Sequence, residues 1–114
     1  MKDEKTNHLL DTLMKCIAAC ETCGDKCLDE DNVAEMADCI RTDRACADAC
    51  GITARFVSRN SKYAKEYLDL CRAICEDCEA ECDMHDHKHC KVCAKVCRET
   101  MEAIDAYNPA AQLA

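Results

Sequence analysis

Apolar and cysteine positions recur along most of this chain in alternating steps of three and four residues, the spacing that keeps one face of an α-helix turned inward. In the first segment the series runs Leu9, Leu13, Cys16, Cys20, Cys23, Cys27, and it predicts a helix from about Thr6 to Asp29. A second helix is expected from near Asn32, where Asn32 and Glu35 have capping-box spacing, to Ser58. Asn60-Ser61 reads as a turn and N-cap before a third helix reaching about Met84. A fourth runs from about Asp86 to Tyr107, with Asn108-Pro109 as its stop. Gly24 and Gly51 fall inside helices, where each costs up to about 1 kcal/mol relative to Ala. Three short connections make successive helices antiparallel neighbours. The expected fold is therefore all-α, an antiparallel up-down-up-down four-helix bundle with a Cys-lined core, forming one domain over residues 1–114.

The inward pattern also repeats. Cys16-x3-Cys20-x2-Cys23-x3-Cys27 returns 55 residues later as Cys71-x3-Cys75-x2-Cys78-x3-Cys82. The second helix carries Cys39, Cys46 and Cys50, which fit the same frame if Asp43 occupies its second position. The fourth carries Cys90, Cys93 and Cys97, which fit if Asp86 occupies the first. Four helices with four positions each make a lattice filled by all 14 cysteines and two aspartates. No cysteine falls off it.

Composition gives this lattice its weight. Leu, Ile, Val and Phe together supply only 17 of 114 residues, a level at which disorder is the default expectation. Reduced, buried Cys packs as a small hydrophobe, so a sulfur core can replace the missing aliphatic one. A cysteine-dense short chain is otherwise read as a disulfide scaffold. Such scaffolds are rich in loops, whereas this chain has two glycines and one proline. Its start, from Met1 to Asn7, carries acidic residues and leads into no long apolar run, so no signal peptide is visible and a cytoplasmic, reducing setting is expected. No apolar stretch approaches the roughly 20 residues of a membrane span. The net charge of −8 argues against nucleic acid or an anionic membrane as partner.

Side chains at i and i+4 on a helix have Cβ atoms about 5–6 Å apart. A disulfide needs them near 3.8 Å, so C-x3-C neighbours suit it poorly. Two sulfurs on opposite sides of one metal, with bonds of roughly 2.3 Å, sit about 4.5 Å apart, within reach of an i,i+4 pair. Soft thiolates favour Cu(I), Zn(II) or iron–sulfur clusters. Zinc asks for four converging ligands; Cu(I) accepts two or three, and bridging thiolates support about one Cu(I) per Cys. One or two cysteines at core spacing would be packing residues. Fourteen with the larger aliphatics displaced point to metal, because an inert core is better served by side chains that bury more area.

The lattice lies toward one end of the expected bundle. The opposite end collects Leu9, Leu10, Leu13, Ile52, Phe56, Val57, Tyr63, Tyr67, Leu68, Met101 and Ile104 as an apolar plug. The cysteine end holds the alternating Met84-His85-Asp86-His87-Lys88-His89. Continuing the three-residue step reaches His85 beyond Cys82 and Met36 before Cys39, with His89 beside Cys90. These thioether and imidazole groups can take Cu(I) in transit to the thiolates. The alternative for each is a solvated connection histidine or a core methionine. His8 reads as surface. Asp86 is also a candidate N-cap, and an inward Asp43 needs a partner or a cation.

The repeated C-x3-C-x2-C-x3-C helices, with Cys46-Ala47-Asp48-Ala49-Cys50 and Cys93-Ala94-Lys95-Val96-Cys97, resemble the bacterial copper storage proteins over nearly the whole chain. The resemblance implies a cytosolic-type four-helix bundle that stores multiple Cu(I) ions on its cysteines. It also implies histidine and methionine ligands near the mouth, matching His85, His89 and Met36, and a homo-oligomer, often a tetramer. Asp43 and Asp86 stand where a fuller lattice would carry Cys. A zinc or general soft-metal buffer is the alternative. Dithiol redox chemistry at a C-x2-C pair lacks its βαβ setting, and iron–sulfur transfer lacks the clustered loop motif. No Ser-His-Asp set or carboxylate dyad is evident, which argues against an enzyme.

Overall fold

The computed structural model describes residues 3–107. It contains helices α1 (Glu4–Cys27), α2 (Ala37–Ser58), α3 (Ala64–Asp83) and α4 (Lys88–Tyr107), with a short 3-10 turn over Val33–Met36 leading into α2. Helix α1 packs on α2 and α4, and α3 packs on the same two, so the four form a ring in chain order. This is the expected up-down-up-down bundle, all-α among the described residues. None of these helices is long and apolar enough to cross a membrane.

Helix ends differ from the expected ones for local reasons. Helix α1 starts before Thr6 because the Asp3 side chain accepts a 2.8 Å hydrogen bond from the Thr6 N–H, an N-cap. Its α-helical run closes at Cys27, two residues before Asp29. The expected Asn32–Glu35 capping box does not form: Asn32 Nδ2 donates to Glu35 Oε2 at 3.2 Å, leaving no side-chain cap. The chain enters α2 through the 3-10 turn instead. Helix α2 ends in a Schellman motif, with Ser61 N–H donating to Phe56 O and Asn60 N–H to Val57 O, both at 3.0 Å. Asn60 takes the left-handed conformation this requires, with φ of 51°. Ser61 Oγ then accepts from Tyr63 N–H at 3.1 Å. The turn is as expected, although α3 begins only at Ala64. The proposed Asn108-Pro109 stop lies outside the described residues.

Helix α4 begins at Lys88, where the His87 carbonyl accepts from the Cys90 and Lys91 N–H groups. Asp86 is therefore exposed in the connection and is not a lattice position, which corrects its assignment. The other lattice aspartate, Asp43, is fully buried. An added Cβ on Gly24 would sit 3.6 Å from Asp43 Cβ, an ordinary contact, so close helix approach does not demand glycine there.

The core has two parts. All 14 cysteines are fully buried, and beyond them Leu9, Leu13, Val57, Leu68, Met101 and Ile104 close one end. Ile52 and Tyr63, expected in this plug, are 42% and 53% exposed. Ile52 lies two residues past Cys50 and so points away from the core; Thr53, three past, takes the inward position. Its hydroxyl donates to Tyr67 O at 3.2 Å. Thr100 likewise lies three past Cys97 and donates to Val96 O at 2.8 Å. Phe56 and Tyr67 stack at 4.2 Å on the flank, with Arg59 over the Phe56 ring, and both aromatics are half-buried.

A conventional apolar end beside packed thiols predicts a fold that does not wait for metal. The reduced, metal-free protein should give a helical far-UV circular dichroism spectrum, and a coil spectrum turning helical only with metal would overturn this. Leu9→Ala or Ile104→Ala should each lower stability by about 2–5 kcal/mol in denaturant titration.

Candidate metal centre

Because the 4-3-4 steps turn each cysteine inward from all four helices, their sulfurs meet along the bundle axis. Within a helix, Cys16–Cys20, Cys23–Cys27 and Cys78–Cys82 have Sγ atoms 3.9, 4.0 and 4.0 Å apart. Between helices the approach is closer. Cys39–Cys82 lie at 3.5 Å, Cys46–Cys75 at 3.6 Å, Cys20–Cys93 at 3.7 Å, and Cys23–Cys90, Cys16–Cys46 and Cys50–Cys71 at 3.8 Å. All 14 are free thiols.

These contacts resolve into four-ligand groups whose donor atoms all lie within 4.8 Å of one another. From the mouth inward they include Cys23, Cys27, Cys39 and Cys90; Cys23, Cys39, Asp43 and Cys82; and Cys20, Cys78, Cys93 and Cys97. Deeper still are Cys16, Cys20, Cys46 and Cys97, then Cys16, Cys46, Cys50 and Cys75. Several groups share members, so many sulfurs stand ready to bridge two ions. Cys71, at the plug end, joins through Cys50.

Burial resists ionisation of an isolated thiol, but a thiolate that accepts S–H bonds from its neighbours is favoured. Bonds from Cys39 and Cys82 accordingly pull Cys23 down to about 5. Cys27 and Cys90 move above the usual thiol range, first through burial and then through the charge on Cys23. Ionisation is thus shared unevenly across neighbouring sulfurs in the metal-free bundle.

Asp43 fills its lattice position as an oxygen donor among sulfurs. Its Oδ1 accepts from the Cys93, Cys78 and Cys82 thiols at 3.3, 3.4 and 3.4 Å, and Oδ2 accepts from Cys39 at 3.8 Å. Burial, then the charges of Cys93, Cys23 and Cys78, push its carboxyl up to about 12. The thiols are the partners an inward Asp43 was expected to need.

At the mouth, the three candidates separate. His89 places Nδ1 3.3 Å from Cys23 Sγ and 3.5 Å from Cys90 Sγ, with its side chain 11% exposed. Burial of the ring opposes protonation, but the bonds to Cys23 and Glu30 outweigh it and hold His89 above the usual imidazole value. Met36 is fully buried in the same core cluster as the thiols. His85 is not brought to a thiol: its Nε2 pairs with Glu81 Oε2 at 2.9 Å. His87 stacks on His89 with ring centroids 5.4 Å apart. Glu30, which the sequence did not single out, lies within 2.7 Å of His89 Nε2 and 3.2 Å of His87 Nδ1.

Known proteins share both the sequence and the architecture. The family model for copper storage proteins (Csp) matches residues 2–108. The cysteine-rich protein YhjQ of Bacillus subtilis is 42% identical over 93 residues, covering 82% of this chain and 86% of its own. Among solved structures, the Cu(I)-bound copper storage protein BsCsp3 is 36% identical with a TM-score of 0.86, over 91% of this chain and 98% of its own. A cytosolic copper storage protein from Streptomyces lividans, solved with five coppers, is 37% identical with a TM-score of 0.87, over 91% and 92%. The four-helix ring, its cysteine lattice and these matches agree: this chain belongs to the copper storage protein family.

Proposed function

We propose that this chain, as one domain, stores and buffers multiple Cu(I) ions inside its bundle, limiting their toxicity and holding them for supply. The observation that carries this is the sharing of thiols between neighbouring groups: Cys16 and Cys46 belong to two, as do Cys20 and Cys97, and Cys23 and Cys39. Separate tetrahedral zinc sites want four thiolates each and no sharing. Cu(I), content with two or three sulfurs, uses shared thiolates as bridges. The Cu(I)-bound BsCsp3 and the copper-loaded Streptomyces protein support the same cargo.

The ligands proposed are the 14 cysteines, with Met36, His85 and His89 serving ions at the mouth. His89 already lies against two thiols of the outermost group, whereas His85 would have to leave Glu81. Asp43 takes a lattice position without a bridging sulfur, and its hard oxygen is a poorer match for Cu(I). The role is storage, not catalysis. The cytosolic Streptomyces relative supports a cytoplasmic setting. A homo-oligomer, as the family resemblance implies, is part of the same reading.

Zinc buffering remains the second reading, since single four-thiol groups are also close to what one Zn(II) takes. Anaerobic titration separates the two. Cu(I) uptake should approach roughly one ion per Cys, about 14 per chain. Saturation at three or four ions, with Zn(II) displacing Cu(I) from the same thiols, would favour zinc.

The two ends predict a direction of transfer. A cation crossing the plug around Leu9, Leu13 and Ile104 would be desolvated without a partner. Replacing Met36, His85 and His89 together with Ala should slow exchange with a coloured Cu(I) chelator in stopped-flow while changing final capacity little. Leu9→Ala with Ile104→Ala should cost stability without a comparable loss of rate. An unchanged rate in the mouth variant and a large change in the plug variant would reverse the two ends.

A further inference from the structure

A neutral imidazole can offer only one ring nitrogen to a metal, and the hydrogen bond made by the other nitrogen decides which. His89 stands at the boundary between the outermost thiol group and the solvent side of the mouth, with its two nitrogens facing different partners. Nδ1 faces Cys23 and Cys90 at 3.3 and 3.5 Å. Nε2 faces Glu30 Oε2 at 2.7 Å, a length typical of a charge-assisted bond. An ionised carboxylate only accepts, so the proton between them sits on Nε2. In the neutral ring, the form that can bind a metal, the Nδ1 lone pair is then left toward the sulfurs.

Glu30 comes from the connection between α1 and α2, while His89 lies in the first turn of α4. Their bond joins residues 59 apart in sequence, across the end of the bundle. The Glu30 side chain is 25% exposed, so the contact is partly sheltered from water. His87 Nδ1 lies 3.2 Å from the same oxygen, and its ring lies parallel to that of His89 at an interplanar angle of 4°. The unbonded alternative, with the proton on Nδ1, would aim an N–H at two sulfurs and leave no lone pair for an ion held there.

We propose that Glu30 is a positioning residue for the copper entrance: by accepting the Nε2 proton of His89, it fixes the tautomer whose Nδ1 can join Cys23 and Cys90 around an incoming Cu(I). Glu30 itself touches no copper. It acts as carboxylates behind metal-bound histidines do, where losing such a partner costs roughly 10–100-fold in affinity or activity. The inference rests on the proposed role of His89 as a mouth ligand, and the two can be tested apart.

The first measurement needs no copper. At a pH above the raised His89 value, where the ring is neutral, long-range ¹⁵N correlation of His89 in the reduced, metal-free protein should show Nε2 protonated and Nδ1 bare. Glu30→Ala should convert this to a mixture of tautomers, whereas Glu30→Gln, whose side-chain oxygen can still accept, should keep the wild-type pattern. The second measurement follows Cu(I) uptake from a coloured chelator. Glu30→Ala should slow it about tenfold or more, as His89→Ala should, with Glu30→Gln restoring most of the rate and total capacity little altered in either Glu30 variant. A merely structural role for Glu30 would not move the tautomer. A wild-type tautomer and rate in Glu30→Ala would overturn the proposal. A shifted tautomer in Glu30→Ala, together with a wild-type uptake rate in His89→Ala, would uphold the positioning by Glu30 and remove His89 from the entrance ligands.

Discussion

Sulfur-to-sulfur packing between antiparallel helices is the constraint on which the rest of this molecule depends. Alternating steps of four and three hold each thiol on one face, and four such faces enclose a column of sulfurs with interhelical contacts of 3.5–4.0 Å. A thiol is short, so helices that meet through cysteine leave no room for the larger aliphatics of an ordinary bundle. Fourteen positions are committed in this way. What the thiols forgo in buried area, Leu9, Leu13, Val57, Leu68 and Ile104 supply at the other end. The division is spatial: one end stabilises, and the other is free to be chemical.

The sequence made this column legible because the periodicity was reinforced by identity. A leucine at a lattice position is one hydrophobe among many, but a cysteine there can be counted. The same rule located Asp43 correctly and Asp86 wrongly, and the difference lies in the chain around them. Asp43 has α2 on both sides, so helical phase determines its direction. Asp86 lies in the reversal between α3 and α4, where helical phase does not apply and the spacing to Cys90 means nothing. Ile52 differs for the opposite reason: it lies within a regular helix close to the plug, where its phase relative to Cys50 assigns it to the surface and Thr53 to the core.

Side-chain pairing at the mouth was less legible still. That His89 adjoins the outermost thiols follows from its position beside Cys90, but the partner that orients it does not. Glu30 is one acidic residue among 23 Asp and Glu, and its bond to His89 depends on how two separate connections fold over the same end. His85 continues the three-residue step beyond Cys82, yet it too lies past the end of α3. Its Nε2 pairs with Glu81 Oε2 at 2.9 Å, a partner close in sequence that needs no tertiary contact. Local periodicity predicts which face a side chain occupies. It does not predict which of several polar neighbours on that face will hold it.

The order of the thiol groups along the axis gives the proposed storage role a physical route. An ion entering among Cys23, Cys27, Cys39 and Cys90 meets the next group through Cys23 and Cys39, which belong to both. The three thiols that donate to Asp43 Oδ1 link that second group onward: Cys82 is one of its members, whereas Cys78 and Cys93 belong to the third. Cys20 and Cys97 then connect to the fourth group, and Cys16 and Cys46 to the fifth. At each of these passages a soft ion can form its new bond before the old one is broken, so it never sits bare in a low-dielectric interior, where an unpaired charge is strongly disfavoured. Asp43 is the one oxygen along this path. Its hard oxygen, already engaged by these thiols, offers little to a soft cation, so the sulfurs around it must carry the ion past. The column ends where Thr53, Thr100 and the plug replace sulfur with groups that Cu(I) binds poorly. On the proposed reading, a chamber with one ligand-bearing end and one apolar end would fill from the first and close at the second.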